Sequence, residues 1–190
     1  MMDTDKFIEF ANQIGKLKEL KRTGWYKDAG IDKEYVESVA DHSYRCAMLA
    51  TVLADEAGLD SGKVTKMMLL HDLEESITGD IIRSEKENQD PKEVYQRELD
   101  AFKKVISSLS ENLQEQYLQL WKEYQTGETA EAKLCRSVDR IDQAIQAQEY
   151  FKRYPNKKTL KKFSDDNDLE KRSPETEEIC KKLLEWGNSE

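Results

Sequence analysis

Residues 67–82, Met-Met-Leu-Leu-His-Asp-Leu-Glu-Glu-Ser-Ile-Thr-Gly-Asp-Ile-Ile, place the tightest constraint on how this chain can fold. Four apolar residues run directly into His71 and Asp72, and Glu74, Glu75 and Asp80 follow within nine positions. Val64, Met67 and Met68 predict a helical face that continues through His71 and Glu75, because side chains four apart stack on one side of a helix. Gly79 then ends or bends that helix. An imidazole and several carboxylates at the end of an apolar helix are costly to bury without a counter-ion. A divalent cation removes that cost, provided other segments supply the remaining ligands.

The flanking segments read as amphipathic helices. Residues 4–21 repeat Phe7, Phe10, Ile14, Leu17 and Leu20 at helical steps. A second helix, from about Glu37 to Ala57, turns Val39, Cys46, Ala50, Leu53 and Ala54 inward and carries His42 near its start. Asp60 or Ser61 can cap the helix that follows. So short a connection implies antiparallel neighbours, which brings His42 and His71, the only two histidines, toward one site. Asp90-Pro91-Lys92-Glu93 starts a helix running to about Leu109. Another spans Glu111 to Tyr124, with Trp121 among its core aromatics. A long helix covers about Ala130 to Tyr154, with Asp139 bordering its apolar stripe and Asp142 one turn on.

Residues 22–35 read as a surface loop whose Trp25 and Tyr26 either pack over a ligand or anchor on the core. Residues 83–89 read as a polar connector or a lid. With 37% apolar and 36% charged residues, eight Gly and three Pro, the chain suits one-sided helices, not a many-stranded sheet. The class is all-α, and 190 residues make one domain. The expected organisation is a domain over 1–155 and a C-terminal extension over 156–190. That extension is basic, then mixed through Asp165-Asp166-Asn167-Asp168, and ends in a helix starting at Ser173-Pro174-Glu175 that packs on the same domain.

A net charge of −9 argues against a nucleic-acid polymer as partner. No run of 18 apolar residues suggests a membrane span, and the start lacks the basic and apolar regions of a signal peptide. Cys46, Cys135 and Cys180 are odd in number and far apart, which fits reduced thiols and a cytoplasmic setting.

Asp139, bordering an apolar stripe, is either a paired acid or a ligand; as a ligand it would complete with His42, His71 and Asp72 a nitrogen/oxygen set suited to Mn²⁺, Co²⁺, Fe²⁺, Ni²⁺ or Zn²⁺, one ion per chain. Such a cation lowers the pKa of a water from near 16 toward roughly 7 and polarises a phosphoryl group. Glu75, one turn after His71, is placed to take or orient the water's proton, and Asp80 lies where water or a substrate hydroxyl would sit. Glu74 is expected to be a solvated helix acid.

Five stretches carry a resemblance: Lys21-Arg22-Thr23-Gly24-Trp25, Asp41-His42-Ser43-Tyr44-Arg45, Leu70-His71-Asp72-Leu73-Glu74-Glu75, Thr78-Gly79-Asp80-Ile81 and Ala130-Glu131-Ala132-Lys133. Over roughly residues 5–155 they resemble the HD-domain metal-dependent phosphohydrolases, and within them the 5′-deoxynucleotidases that include the HD-domain-containing protein 2 group. The resemblance implies a single-domain helical HD bundle that removes the 5′-phosphate of deoxyribonucleoside monophosphates. It implies His42, His71, Asp72 and Asp139 as metal ligands and Glu75 and Asp80 as catalytic and substrate-handling acids. Trp25 matches a pocket aromatic associated with deoxyribose preference, and Arg22 a phosphate-side arginine. Family members are commonly homodimers. Two other readings stand beside this one: another HD activity, on nucleoside triphosphates or cyclic nucleotides, and a non-catalytic metal-containing helical binding protein. The first is disfavoured by the absence of further histidines for a second metal. The second is disfavoured by acids left over once four ligands are assigned.

Overall fold

The computed structural model describes residues 3–164 and 173–188. The all-α expectation holds: the one β pairing among the described residues is an isolated antiparallel bridge between Lys21 and Ser38. Helix α1 (Thr4–Gly15) opens under Asp3, whose carboxylate accepts from the N–H groups of Asp5 and Lys6. It stops short of the expected end at residue 21. Lys16–Lys18 tighten into a 3-10 turn that buries Leu17. Residues 20–22 then straighten against 37–39, with Arg22 N–H donating to the Glu37 carbonyl (3.1 Å) and Val39 N–H to the Leu20 carbonyl (2.9 Å). Backbone bonds a longer helix would have supplied are made across the chain instead.

The expected surface loop is also more structured than predicted. It contains helix α2 (Thr23–Lys27) and a 3-10 turn at Lys33–Tyr35. Trp25 is 2% exposed, wedged between the rings of Tyr150 (centroids 5.3 Å apart) and Phe163 (4.5 Å). The aromatic therefore anchors on the core.

Helix α3 (Val39–Ala57) begins with a reciprocal cap between Ser38 and Asp41. Gly58, at φ +69°, ends it, and Asp60 caps α4 (Ser61–Leu70) through the Lys63 N–H. A 2.6 Å bond between the hydroxyls of Thr51 and Thr65 locks this antiparallel pair in register. Helix α4 does not continue through Glu75 as predicted. The Nδ1 of His71 lies 2.7 Å from the Met68 carbonyl, the acceptor that the next helical N–H would have used. The chain responds with tight turns, Leu73 N–H to Leu70 and Glu75 N–H to Asp72, before a single turn of α5 (Glu75–Thr78).

Helix α6 (Arg83–Glu87) occupies the polar connector, and α7 (Pro91–Ile106) starts at the Asp90 cap. α8 (Glu111–Thr126) and α9 (Ala130–Arg153) follow close to their expected bounds. Two 3-10 segments, Lys158–Ser164 and Pro174–Thr176, precede α10 (Glu177–Gly187). The acidic run Asp165–Asp168 lies outside the described residues.

Small residues on α3 let three helices close around one core. Ala47, Ala50 and Ala54 pack with Val64, Met67 and Met68 of α4 and with Leu134, Cys135 and Val138 of α9. Full burial of each methionine contributes about 1.5–3 kcal/mol. A second core stacks Phe102 of α7 on Trp121 of α8, ring centroids 5.2 Å apart. Helix α10 lays Cys180 and Leu183 on Ile141 and Ala144 of α9. No helix among the described residues is long and apolar enough to cross a membrane.

All three cysteines are free and buried, and burial pushes the thiols of Cys46 and Cys135 up to about 12. At pH 8 about one such thiol in ten thousand is ionised, so alkylation should be negligible in the native protein. Iodoacetamide labelling followed by mass spectrometry should find all three sites unmodified until denaturant is added. Rapid native labelling of Cys46 or Cys135 would contradict this packing.

Candidate metal centre

The core just described brings four ligand-type side chains together: Asp72 and Asp139 line one cavity, and His42 and His71 are buried behind them. The α3–α4 pair brings in His42 and His71 with ring centroids 5.5 Å apart, and α9 brings Asp139. His42 is 0% exposed and His71 1%, whereas the side chains of Asp72 and Asp139 are each 17% exposed. The imidazoles thus form the bottom, and the carboxylates face the opening.

Hydrogen bonds fix both imidazole tautomers. A carbonyl can only accept, so His71 Nδ1 carries the proton shared with Met68 and Nε2 presents a lone pair. That Nε2 is buried and has no hydrogen-bond partner. It nevertheless lies 3.0 Å from Asp72 Oδ2, a separation that a proton or a cation shared by the two atoms would fill. Bonds from such donors to a divalent ion run about 2.0–2.2 Å, so atoms this close could share one cation. On the other ring, Asp142 takes His42 Nδ1 at 2.7 Å, leaving His42 Nε2 facing Asp139 Oδ1 (3.2 Å) and Asp72 Oδ2 (3.7 Å). His42, His71 and Asp72 offer donor atoms within 4.8 Å of one another, and His42 links them to Asp139.

The carboxylates favour positive charge here. Burial works against charge on His42, as does Arg22, but the carboxylates of Asp139 and Asp142 outweigh them and hold its pKa well above the usual imidazole value. Burial likewise opposes ionisation of Asp72, and His71, Arg22 and His42 overcome it, so this carboxylate stays far below its ordinary range. Asp139 is depressed against burial by His42 and Arg140. Cys46 is not a convincing fifth donor. Its Sγ is almost equidistant from the two His42 nitrogens (3.5 and 3.7 Å), and its thiol stays protonated.

Above this floor opens a cavity of about 730 Å³, within the range of small-molecule sites. Arg22, Trp25, Glu75 and Asp80 all line it, with Asp72 and Asp139. Arg22 Nη1 reaches Asp72 Oδ2 at 3.4 Å. Glu75 is buried, its Oε2 has no hydrogen-bond partner, and burial followed by the charges of Asp72 and Asp80 pushes its pKa well up. Asp80 behaves differently: its Oδ2 accepts the Thr23 N–H at the start of α2 and so fixes the turn that presents Arg22 and Trp25. Glu74 corrects the expectation of a solvated acid. It is 5% exposed, and Trp121 Nε1 donates to its Oε2 at 3.1 Å. The turns that replace a continuous helix rotate Glu74 into the α7–α8 core. Helix α6 lines the cavity through Arg83, Ser84, Lys86 and Glu87. It is tied by Lys27–Glu85 (2.8 Å) and Lys86–Glu98 (2.8 Å).

Sequence reasoning left Asp142, Tyr124 and Glu37 without roles. Asp142 was signalled by spacing, since a residue three after Asp139 shares its helix face. Tyr124, whose hydroxyl lies 3.3 Å from Asp139 and whose ring edge meets His71, had no such signal.

An all-helical fold with two His and two Asp at the floor of an open polar cavity defines the class of HD-type hydrolases. The HD domain family matches residues 14–182. A Bos taurus protein, 5′-deoxynucleotidase HDDC2, is 38% identical over 144 residues, covering 75% of this chain and 67% of the relative. Its Dictyostelium discoideum namesake is 38% identical over 169 residues, covering 84% and 86%. A crystal structure of a Pyrococcus horikoshii OT3 protein superposes with a TM-score of 0.78 at 29% identity, covering 94% of this chain and 99% of that one. The chain belongs to the HD-domain family, among its 5′-deoxynucleotidases, and is a phosphomonoester hydrolase.

Gly79 stands at φ +76°, ψ 164°, a region open essentially to glycine alone, between Glu75 and Asp80. A Cβ there would meet nothing within 4 Å, so the cost of Gly79→Ala is conformational. Urea unfolding should show a loss of about 1–3 kcal/mol. An unchanged midpoint would show that the turn is not held in this geometry.

Proposed function

We propose that the protein is a divalent-metal-dependent 5′-deoxynucleotidase, acting on deoxyribonucleoside and, more weakly, ribonucleoside 5′-monophosphates. The observation that carries this is the unpartnered Nε2 of buried His71, converging with His42 and Asp72 beneath an open cavity. His42, His71, Asp72 and Asp139 would hold one ion, and the mixed nitrogen/oxygen set suits Mn²⁺, Co²⁺, Fe²⁺, Ni²⁺ or Zn²⁺. When bound, such an ion supplies Lewis acidity toward a phosphoryl oxygen and makes a water more acidic.

The chain's own groups do the rest. Arg22, kept cationic by Asp80, Asp72, Glu75 and Asp139 against the cost of burial, binds the phosphate. In its ionised form Glu75 would take the attacking water's proton at Oε2, and the raised pKa makes that carboxylate a stronger base than an exposed one. Asp80 orients the Arg22–Trp25 turn through Thr23 and takes the substrate side of the site. The buried face of Trp25 is rigid, so the sugar edge meets a wall that does not yield to a 2′-hydroxyl.

Residues 1–155 serve as the catalytic domain and 156–190 as an extension, supported by the docking of α10 on α9. The three free thiols support a cytoplasmic setting. A homodimer is supported by an apolar stripe on α3, where Tyr44, Met48 and Val52 recur every four residues and are each at least half exposed. Met48→Glu should turn a dimer into a monomer in sedimentation velocity; a wild-type monomer would remove the dimer.

The decisive experiment is phosphate release by metal-stripped protein after adding back Mn²⁺, Co²⁺, Mg²⁺ or Zn²⁺. Metal-restored release from 5′-dNMPs, weaker from 5′-NMPs and absent from 3′-dNMPs, is expected. Activity confined to triphosphates or cyclic nucleotides would overturn the substrate reading. Glu75→Gln should keep the metal and lower turnover about 10²–10⁴-fold. Full activity in that variant would remove Glu75 from proton transfer.

A further inference from the structure

We infer that Glu37, Arg45 and Asp142 form one outer shell that positions both the metal ligand His42 and the cavity wall residue Trp25. The inference rests on the metal reading above and concerns residues to which neither that reading nor the family resemblance gives a role.

Asp142 is 0% exposed, and each of its oxygens is committed. Oδ2 takes His42 Nδ1 at 2.7 Å, and Oδ1 accepts Arg45 Nε. Asp142 meets His42 through Nδ1, whereas Asp139 and Asp72 lie at Nε2, so Asp142 acts through His42. Its effect is to fix the tautomer and strengthen Nε2 as a donor. Arg45 is held in turn: Nη2 donates to Gln146 Oε1 at 2.8 Å and Nη1 to Glu149 Oε2 at 3.1 Å.

The same guanidinium lies 3.8 Å from Glu37 Oε2. Glu37 Oε1 accepts the indole N–H of Trp25 at 2.8 Å. The backbone N–H of Glu37 donates to the hydroxyl of Tyr150, whose ring packs edge-on against Trp25. One arginine, which also pairs with Glu149, therefore bridges the carboxylate that steers the imidazole and the carboxylate that steers the indole. Glu37, His42 and Asp142 also come close enough to suggest a second cation site. Arg45 already supplies the positive charge between these carboxylates, so the group is an arginine-filled shell.

The separation of the two arms gives the test. Full-length wild type and the variants Asp142→Asn, Glu37→Leu and Arg45→Lys are titrated with Mn²⁺ against a competing chelator. Their kcat and KM for a 5′-dNMP are then measured at saturating Mn²⁺. Asp142→Asn should weaken Mn²⁺ binding about 10–100-fold. Glu37→Leu should leave Mn²⁺ affinity unchanged and raise KM. Arg45→Lys keeps the charge but loses the Nε fork, so both quantities should move. Thermal melts select conditions in which every variant is folded. Asp142→Asn binding Mn²⁺ as tightly as wild type would overturn the inference, as would Glu37→Leu weakening Mn²⁺ as much as Asp142→Asn. Wild-type protein without Mn²⁺ affinity would instead overturn the parent reading, and this one with it.

Discussion

Two imidazoles buried side by side are the interaction on which the rest of the structure depends. Each has one nitrogen satisfied by the chain and the other turned toward the cavity: His71 through the Met68 carbonyl, His42 through Asp142. The first bond is local and changes the backbone, because it takes an acceptor from α4 and ends the helix. The second is long-range and ties two elements, since Asp142 of α9 takes both His42 and Arg45 of α3. A substitution that freed either Nδ1 would leave a buried donor unsatisfied, at a cost of about 1–3 kcal/mol, besides rotating a ligand. Site and core therefore cannot be separated energetically: the packing of α3, α4 and α9 that buries Met67 and Cys135 is also what sets the imidazole spacing.

The acids show how environment assigns roles to like groups. Asp72, Glu74, Glu75 and Asp80 fall within nine residues. Asp72 faces two imidazoles and Arg22 and stays ionised. Glu75 is buried beside two other carboxylates and is pushed toward the neutral form. Glu74, raised chiefly by burial, points away from the cavity into the indole of Trp121 and serves the α7–α8 core. Asp80 meets a backbone N–H and organises a turn. Neighbours a few ångströms apart thus leave one carboxylate ionised and push the other toward its protonated form.

Much of this was legible in the chain. The three- and four-residue apolar steps gave the helices, and cap residues such as Asp60 and Asp90 gave their starts, because both signals are local. His42, His71 and Asp72 offer donor atoms within 4.8 Å of one another, and Asp139 lies 3.2 Å from His42, although they come from segments far apart in the chain. What failed was continuity. Val64, Met67, Met68, His71 and Glu75 fit one helical face, yet a side chain's bond to its own backbone ended the helix, and periodicity carries no sign of that competition. The same blind spot hid α2 and the early end of α1, both set by the pairing of 20–22 with 37–39. Glu37 and Arg45 were unreadable for a different reason: they touch the site only through another residue.

That pairing also explains how a segment far from the metal floor in sequence comes to shape the cavity. Lys21 and Ser38 bridge, so Glu37 emerges next to the start of α2 and opposite its indole. Asp80, just beyond the glycine-only turn at Gly79, catches the first N–H of α2 from the other side. The Arg22–Trp25 turn is thus clamped between one acid before α3 and another after α5; α3 carries His42, and α5 follows directly on His71–Asp72. The wall and the floor are thus built into one unit, yet each is gripped by its own carboxylate, Glu37 on the indole of Trp25 and Asp142 on the imidazole of His42. Relaxing the Glu37 clamp loosens the wall while Asp142 still holds the imidazole, so the two ends of the site answer to different side chains.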